Sequence, residues 1–151
     1  MNLQEELKAL KKRIAELEEL AKEEKEFPQD GHWYWYITSD AGIGMSSWEE
    51  FEYQKEQLSI GNIFRTREEA EFALEKLKVE AELRKFSKPF EDDISDWYIF
   101  YDTESQRIYT DSRMYCQTQG AIYFESEQVA QQAIELVGED RIKKYIFGVE
   151  D

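Results

Sequence analysis

Histidine and cysteine are almost missing from this sequence, with one residue of each among 151. Cys116 has no partner for an internal disulfide, which is typical of a chain from a reducing compartment. With His32 it supplies too few ligands for zinc, and neither residue has the neighbours of a Ser-His-Asp or Cys-His catalytic group. No glycine-rich phosphate loop or dinucleotide fingerprint is present either. The sequence therefore predicts a protein without metal, cofactor or enzymatic activity.

Long apolar runs are also missing. No stretch approaches the ~20 apolar residues that a membrane-spanning helix needs. The first residues, Met1–Glu6, are acidic and helix-forming, unlike a secretory or transit peptide. These features predict a cytoplasmic protein that makes no contact with membranes.

Positive charge is scarce: 19 Lys and Arg residues face 34 Asp and Glu residues, for a net charge of -15. The imbalance lies mainly after residue 26, since residues 1–26 are nearly balanced. A nucleic-acid backbone requires a positive surface, so direct binding to nucleic acid is excluded. Two interpretations remain open, namely an acidic surface that serves solubility and one that binds a partner protein with a basic surface.

Only two prolines interrupt the chain, and the first ends a long helical pattern. Apolar residues before Pro28 alternate four- and three-residue steps, which is the a and d spacing of a coiled coil. The stripe consists of Leu3, Leu7, Leu10, Ile14, Leu17 and Ala21. We predict an oligomerisation helix over 1–27 that joins copies of the chain into a homo-oligomer through residues 1–26. The alternative is a helix folded back onto its own domain.

An internal repeat organises the rest of the chain. In both copies an aromatic residue ends a predicted strand, a hydroxyl residue caps a helix, and small or apolar residues follow at helical spacing. The matching pairs are Phe64 with Phe124, Thr66 with Ser126, Ala70 with Ala130, Ala73 with Ala133 and Leu74 with Ile134. Thr66 with Glu69 also fits a capping box.

The repeat predicts an α+β fold in which the coiled-coil helix precedes two similar β-β-β-α units, at 32–86 and 96–149. The units form a mainly antiparallel sheet with helices on one face. The predicted strands are 33–37, 45–48, 62–65, 97–101, 107–110, 121–125 and a final 144–149. The predicted helices are 67–85 and 127–137, and 86–96 is a hinge between the halves.

Two groups of residues are candidates for binding a partner or ligand. Alternation in the aromatic strands places Tyr34, Tyr36, Tyr98 and Phe100 on one sheet face, either as an exposed aromatic platform or as core. The second group surrounds a predicted helix start, where Asn62, Arg65 and Arg67 would form an anion pocket with the free amides. Against this pocket, Glu68 and Glu69 can satisfy both arginines.

Three segments together resemble small accessory proteins encoded by phages and prophages of Gram-positive bacteria. They are Phe27–Gly31 with the strand that follows, Gly61–Ala73, and Arg141–Val149. No catalytic or ligand residues are established for that group. What the resemblance implies is a context, an infected bacterial cell in which counter-defence proteins are frequent.

These observations predict a non-enzymatic, self-associating phage protein that inhibits a host defence factor, with its carboxylates imitating nucleic acid. One alternative is a sponge that captures a nucleotide signal at Arg65 and Arg67. A further alternative is a structural or assembly component of the phage particle.

Overall fold

A computed structural model describes the backbone of residues 2–150 and all of their side chains except those of 23–25. The described residues form an α+β fold with five helices and two separate antiparallel sheets of two strands each. The chain divides into two compact units, Met1–Ala70 and Glu71–Asp151. The predicted α+β class is therefore confirmed, whereas a single sheet shared by both halves is not what forms.

The two hairpins and the helices that follow them occur in the predicted order, but three predicted strands are missing and two short helices are additional. The elements are α1 (Leu3–Lys25), β1 (Trp33–Ile37), β2 (Ile43–Ser47), α2 (Glu52–Ser59), α3 (Arg67–Arg84), β3 (Asp96–Asp102), β4 (Arg107–Arg113), α4 (Glu127–Val137) and α5 (Glu139–Tyr145). The division between the units falls inside α3 rather than in the predicted hinge at 86–96.

The first helix, α1, begins with a complete capping box. The Asn2 side chain accepts a hydrogen bond from the Glu5 backbone N–H at 2.9 Å, and the Glu5 carboxylate accepts one from the Asn2 N–H at 3.2 Å. Every side chain from Asn2 to Lys22 is exposed. The helix is therefore present as predicted, but it is not folded back onto its own domain.

In the first unit, β1 pairs with β2 in a tight hairpin, and one face of that hairpin is covered by α2. Tyr34 on this face is completely buried. Its neighbour on the same face, Tyr36, lies across the strand from Gly44, whose missing side chain makes room for the ring. A Cβ at Gly44 would stand 2.5 Å from Cζ of Tyr36. The small residue therefore permits the close aromatic contact across the hairpin.

A buried glutamine, Gln54, ties α2 to this hairpin. Its amide oxygen accepts hydrogen bonds from the backbone N–H groups of Glu49 (2.9 Å) and Phe51 (3.2 Å). Its amide nitrogen donates to the Tyr34 hydroxyl (3.0 Å) and to the Ser47 carbonyl (2.9 Å). Because the Gln54 side chain is fully buried, these four bonds are what makes its burial tolerable.

The predicted third strands, 62–65 and 121–125, are reduced to isolated bridges: Phe64 pairs with Trp35, Phe124 pairs with Trp97, and Tyr123 pairs with Lys88. Trp35 and Phe64 exchange two backbone hydrogen bonds of 2.9 Å, and Trp97 and Phe124 exchange bonds of 3.1 and 2.7 Å. The β-β-β-α description is therefore wrong in its third strand. The bridges of Phe64 and Phe124 nevertheless occupy equivalent positions, so Trp35 in the first unit corresponds to Trp97 in the second.

The second unit carries the larger core. Trp97 and Ile99 on one face of β3 pack against a cluster of buried residues from α3, β4, α4 and α5. Helix α4 is capped by Ser126, whose hydroxyl accepts from the Val129 N–H at 3.2 Å, and it ends at Gly138, as predicted. The buried residues are Val79, Leu83, Ile108, Phe124, Ala130, Ala133, Val137 and Ile142.

The segment predicted as a hinge, 86–96, is held within the second unit. Asp96 is fully buried and forms an ion pair with Lys88, and its Oδ1 also accepts from the Glu91 N–H at 3.2 Å. The Lys88 N–H donates to the Tyr123 carbonyl at 2.8 Å. These bonds fix the segment instead of leaving it as a solvated linker.

The predicted final strand at 144–149 is also wrong: α5 extends to Tyr145, and residues 146–149 form a turn and irregular backbone. Acidic Glu139 and Asp140 lie in its first turn, while Lys143 and Lys144 lie in its last turn, an arrangement that suits the helix dipole. Ile142 between them is buried. The β-branched and aromatic residues that suggested a strand instead serve the core of the second unit.

Replacing Gln54 by leucine tests its role in the first unit. We expect Gln54→Leu to lower the free energy of unfolding by about 3 kcal/mol, since the buried Tyr34 hydroxyl and nearby backbone groups lose their partners. Urea unfolding followed by tryptophan fluorescence measures this, because Trp33, Trp35 and Trp48 all lie in the first unit.

Lys55→Leu is the matched control, since Lys55 is the exposed neighbour of Gln54 on α2. We expect it to change stability by less than about 0.5 kcal/mol. Equal effects of the two substitutions would contradict the role given to the buried amide.

Candidate binding surface

The outward face of the first hairpin is rich in exposed apolar side chains. Trp33 is 61% exposed and Met45 is 51% exposed, and half-buried Trp35 lies directly across from Met45. A tryptophan left this open in a folded chain is unusual and marks a contact surface. We call these three residues, together with Phe27, Arg65 and Arg67, the aromatic–arginine surface.

The two arginines of this surface stack on aromatic rings. The Arg65 guanidinium lies 5.0 Å from the Phe27 ring centroid, and that of Arg67 lies 5.7 Å from the Trp35 ring centroid. Such cation–π contacts hold the guanidinium planes against the rings. The arrangement places flat cationic groups beside exposed aromatic surface in an otherwise acidic chain.

The start of α3 between these arginines is already capped. The Thr66 hydroxyl accepts a hydrogen bond from the Glu69 N–H at 3.1 Å, which confirms half of the predicted capping box. The Glu69 carboxylate turns back to the Arg65 N–H at 3.2 Å, one residue before the cap. A carboxylate therefore already lies where the anion pocket was predicted.

Asn62, the third residue predicted for that pocket, has a structural role instead. Its amide oxygen accepts from the Ile37 N–H at 2.7 Å, and its amide nitrogen donates to the Ile37 carbonyl at 2.9 Å. The side chain thereby replaces the backbone of a third strand beside β1. Asn62 and the two arginines do not converge on one point, so the pocket is reduced to the arginines and their rings.

The predicted aromatic platform is divided between buried and open positions. Tyr34 is covered by α2, where its hydroxyl also donates to Gln57 at 3.3 Å, so it cannot contact a partner. Tyr36 is half-buried over Gly44. The exposed face of the first hairpin is thus the tryptophan face, opposite to the face chosen from the sequence.

In the second unit the predicted face is partly open. Tyr98 and Phe100 are half-buried and contact each other, and Phe100 also contacts exposed Tyr109. Arg113 donates from Nε to the Tyr98 hydroxyl at 3.3 Å, and this hydrogen bond raises the pKa of Arg113 above its ordinary value. The same pattern of alternation therefore exposes different faces in the two hairpins.

The stripe predicted for oligomerisation is open along its whole length. Its five large side chains are between 46% and 82% exposed, and Leu20 adds a sixth large apolar side chain that the heptad pattern did not include. Charged neighbours such as Arg13 and Glu16 pair with each other along the helix. The stripe is thus an unpartnered apolar face within this chain.

Sequence reasoning missed the tryptophan face, and the signal for it was weak. The alternation in β1 showed that two faces exist, but either one could face the core. The face that is covered is identified by Gln54, whose side-chain amide donates a hydrogen bond to the Tyr34 hydroxyl. In the sequence Gln54 is only one polar residue in a polar segment. His32 stacks on Phe27 of this surface, with the ring centroids 6.0 Å apart. Exposed Cys116 belongs to the second unit.

Searches of protein-family models, of curated proteins and of solved structures found no match to this chain. Among the described residues, no group of His, Cys, Asp and Glu side chains is arranged to hold a metal ion. None of the helices in the described part of the chain is both long and apolar enough to cross a bilayer.

Proposed function

We propose that this protein is a non-enzymatic binding protein that acts as a homo-oligomer assembled through α1. The observation that supports this most is the exposed apolar stripe of a helix whose residues carry little net charge. A helix with a narrow apolar stripe gains stability only by burying it. The stripe has coiled-coil spacing, so a second copy of the same helix is its best partner.

Two charges placed in the stripe test self-association. We expect Leu10→Glu with Ile14→Glu to convert an oligomer into a single chain, since the glutamates would be buried against each other at the seam. Sedimentation equilibrium over a hundredfold concentration range measures the mass. Circular dichroism should show less helix in the double variant than in the wild type, because α1 then no longer buries an apolar stripe.

The control is Lys12→Glu, on the side of α1 opposite the stripe, which should leave the oligomer intact. A wild-type chain that sediments with the mass of one copy at every concentration would overturn self-association.

The partner in our proposal is a host protein with a basic surface. The charge outside α1 is strongly negative, and the exposed tryptophan face offers the aromatic anchors that dominate many interfaces. Carboxylates of the residues after α1 would occupy the groove in which the host protein binds nucleic acid. Several copies joined by one coiled coil would raise the apparent affinity for that protein. The resemblance to phage accessory proteins makes a host defence factor the natural target.

Nucleic-acid mimicry predicts competition by DNA. Immobilised protein should retain bacterial proteins at low salt, and both added duplex DNA and 0.5 M salt should release them, because screening weakens contacts between charges. Quantitative mass spectrometry of the released fraction measures the effect. An equal mass of uncharged dextran is the control, and retention that neither DNA nor salt reduces would contradict the mimic.

A second candidate function is capture of a nucleotide signal at the aromatic–arginine surface. The observation that favours it is the stacking of Arg65 and Arg67 on rings, since guanidinium groups bind phosphates and exposed tryptophan stacks on bases. A role in the phage particle is the remaining alternative, for which the exposed α1 would be the connector.

Thermal shift with cyclic nucleotides and ADP-ribose-type nucleotides separates capture of a signal from protein binding. A captured nucleotide at a hundred times its Kd should stabilise the fold by about 2.7 kcal/mol. Arg65→Ala and Arg67→Ala should each lose this stabilisation, whereas Arg84→Ala, at the far end of α3, should keep it. The absence of any shift for the wild type would exclude this candidate.

A further inference from the structure

The second unit contains a mainly apolar cavity of about 330 Å³ beside β3. This volume lies at the lower end of the range for small-molecule sites and suits a ligand with one ring. Polar side chains of Glu80, Arg84, Thr118 and Gln119 also border it. Its apolar wall is formed by Leu83, Ile99, Ile122, Ile142, Ile146 and Phe147.

The cavity lies where a third strand would have continued. In an antiparallel pair, hydrogen-bonded positions recur every second residue, so the bridge between Trp97 and Phe124 should be followed by one between Ile99 and Ile122. None of the backbone hydrogen bonds in the described part of the chain joins those two residues. The Lys88 N–H instead binds the Tyr123 carbonyl on the other side of the segment.

The edge of β3 is therefore open at Ile99. The backbone N–H and carbonyl of Trp97 bind Phe124 and point away from β4. Because backbone groups point the same way at every second residue of a strand, the N–H and carbonyl of Ile99 also point away from β4. Both groups thus border the cavity as a donor and an acceptor next to each other. A backbone pair at an open strand edge favours a ligand that supplies the complementary pair.

The first unit shows which chemistry completes this position. The equivalent bridge joins Trp35 and Phe64, so Ile37 corresponds to Ile99 and Asn62 corresponds to Ile122. There the Asn62 carboxamide accepts from the Ile37 N–H at 2.7 Å and donates to its carbonyl at 2.9 Å. Ile122 has no polar atoms in its side chain and cannot do the same for Ile99.

We propose that the second unit binds a small molecule that joins a carboxamide to an apolar ring. The carboxamide takes the place at Ile99 that the Asn62 side chain takes at Ile37, and the ring fills the cavity between β3 and residues 118–122. No atom of this site belongs to α1 or to the aromatic–arginine surface, so the proposal stands apart from the functions above.

Benzamide is the probe for this site, and acetophenone is its matched control, since acetophenone keeps the ring and the carbonyl but lacks the N–H donor. Titration followed by two-dimensional ¹H–¹⁵N NMR should show benzamide binding at least tenfold more tightly. The Ile99 amide should move downfield and exchange more slowly with solvent. Equal affinity for both compounds, or no movement of the Ile99 amide, would overturn the proposal.

Ile122→Asn tests the comparison between the units directly. Its carboxamide should occupy the edge of β3 as Asn62 occupies that of β1, so benzamide affinity should fall at least tenfold while the Ile99 amide becomes protected without ligand. Ile122→Leu, which keeps an apolar side chain of the same volume, should bind benzamide within threefold of the wild type. Undiminished binding by Ile122→Asn, in a variant whose spectrum outside the cavity matches the wild type, would overturn the assignment.

Discussion

A two-bond backbone bridge between a tryptophan and a phenylalanine is the interaction on which both units depend. A two-stranded hairpin is marginal in water by itself and needs a further element to cover it. The bridges at Trp35–Phe64 and Trp97–Phe124 hold the two phenylalanines, each of which lies two residues before a helix cap. Because Thr66 and Ser126 follow these residues closely along the chain, each bridge lies at the same short distance in sequence from the start of α3 or α4.

The two units use this common frame differently. In the first unit, the Asn62 side chain binds the backbone of Ile37 at the edge of β1, and the Gln54 side chain binds the Tyr34 hydroxyl on the covered face of the hairpin. Polar amides thus take the place of a larger apolar core. In the second, Ile122 leaves the edge of β3 open, and apolar residues from four elements form a continuous cluster. The repeat therefore preserved the backbone geometry while the chemistry beside each hairpin diverged.

The sequence predicted best what depends on neighbours along the chain. Heptad spacing identified α1, and the hydroxyl residues at 66 and 126 located the starts of α3 and α4, because a cap and its helix lie within four residues.

The predictions of the third strands and of the final strand were wrong, since the pairing of Ile122 and the burial of Ile142 depend on contacts distant in sequence. Which face of β1 is exposed could not be predicted either, because the covered face is set by Gln54, which binds Tyr34 from twenty residues away in sequence. The structural role of Asn62 was missed for the same reason, because its partner Ile37 is distant in sequence.

Charge distribution makes the proposed self-association compatible with a strongly acidic body. Like charges held together repel, and a net charge of -15 on each copy would oppose assembly if it were spread evenly. The stripe of α1 instead lies among acids and bases that pair along the helix, as Arg13 does with Glu16 and Lys22 with Glu26. A coiled-coil seam can therefore form without bringing the acidic residues of the body into the interface. The negative charge would then remain available to a basic partner, which is the physical reason for proposing assembly through the helix and recognition by the rest of the chain.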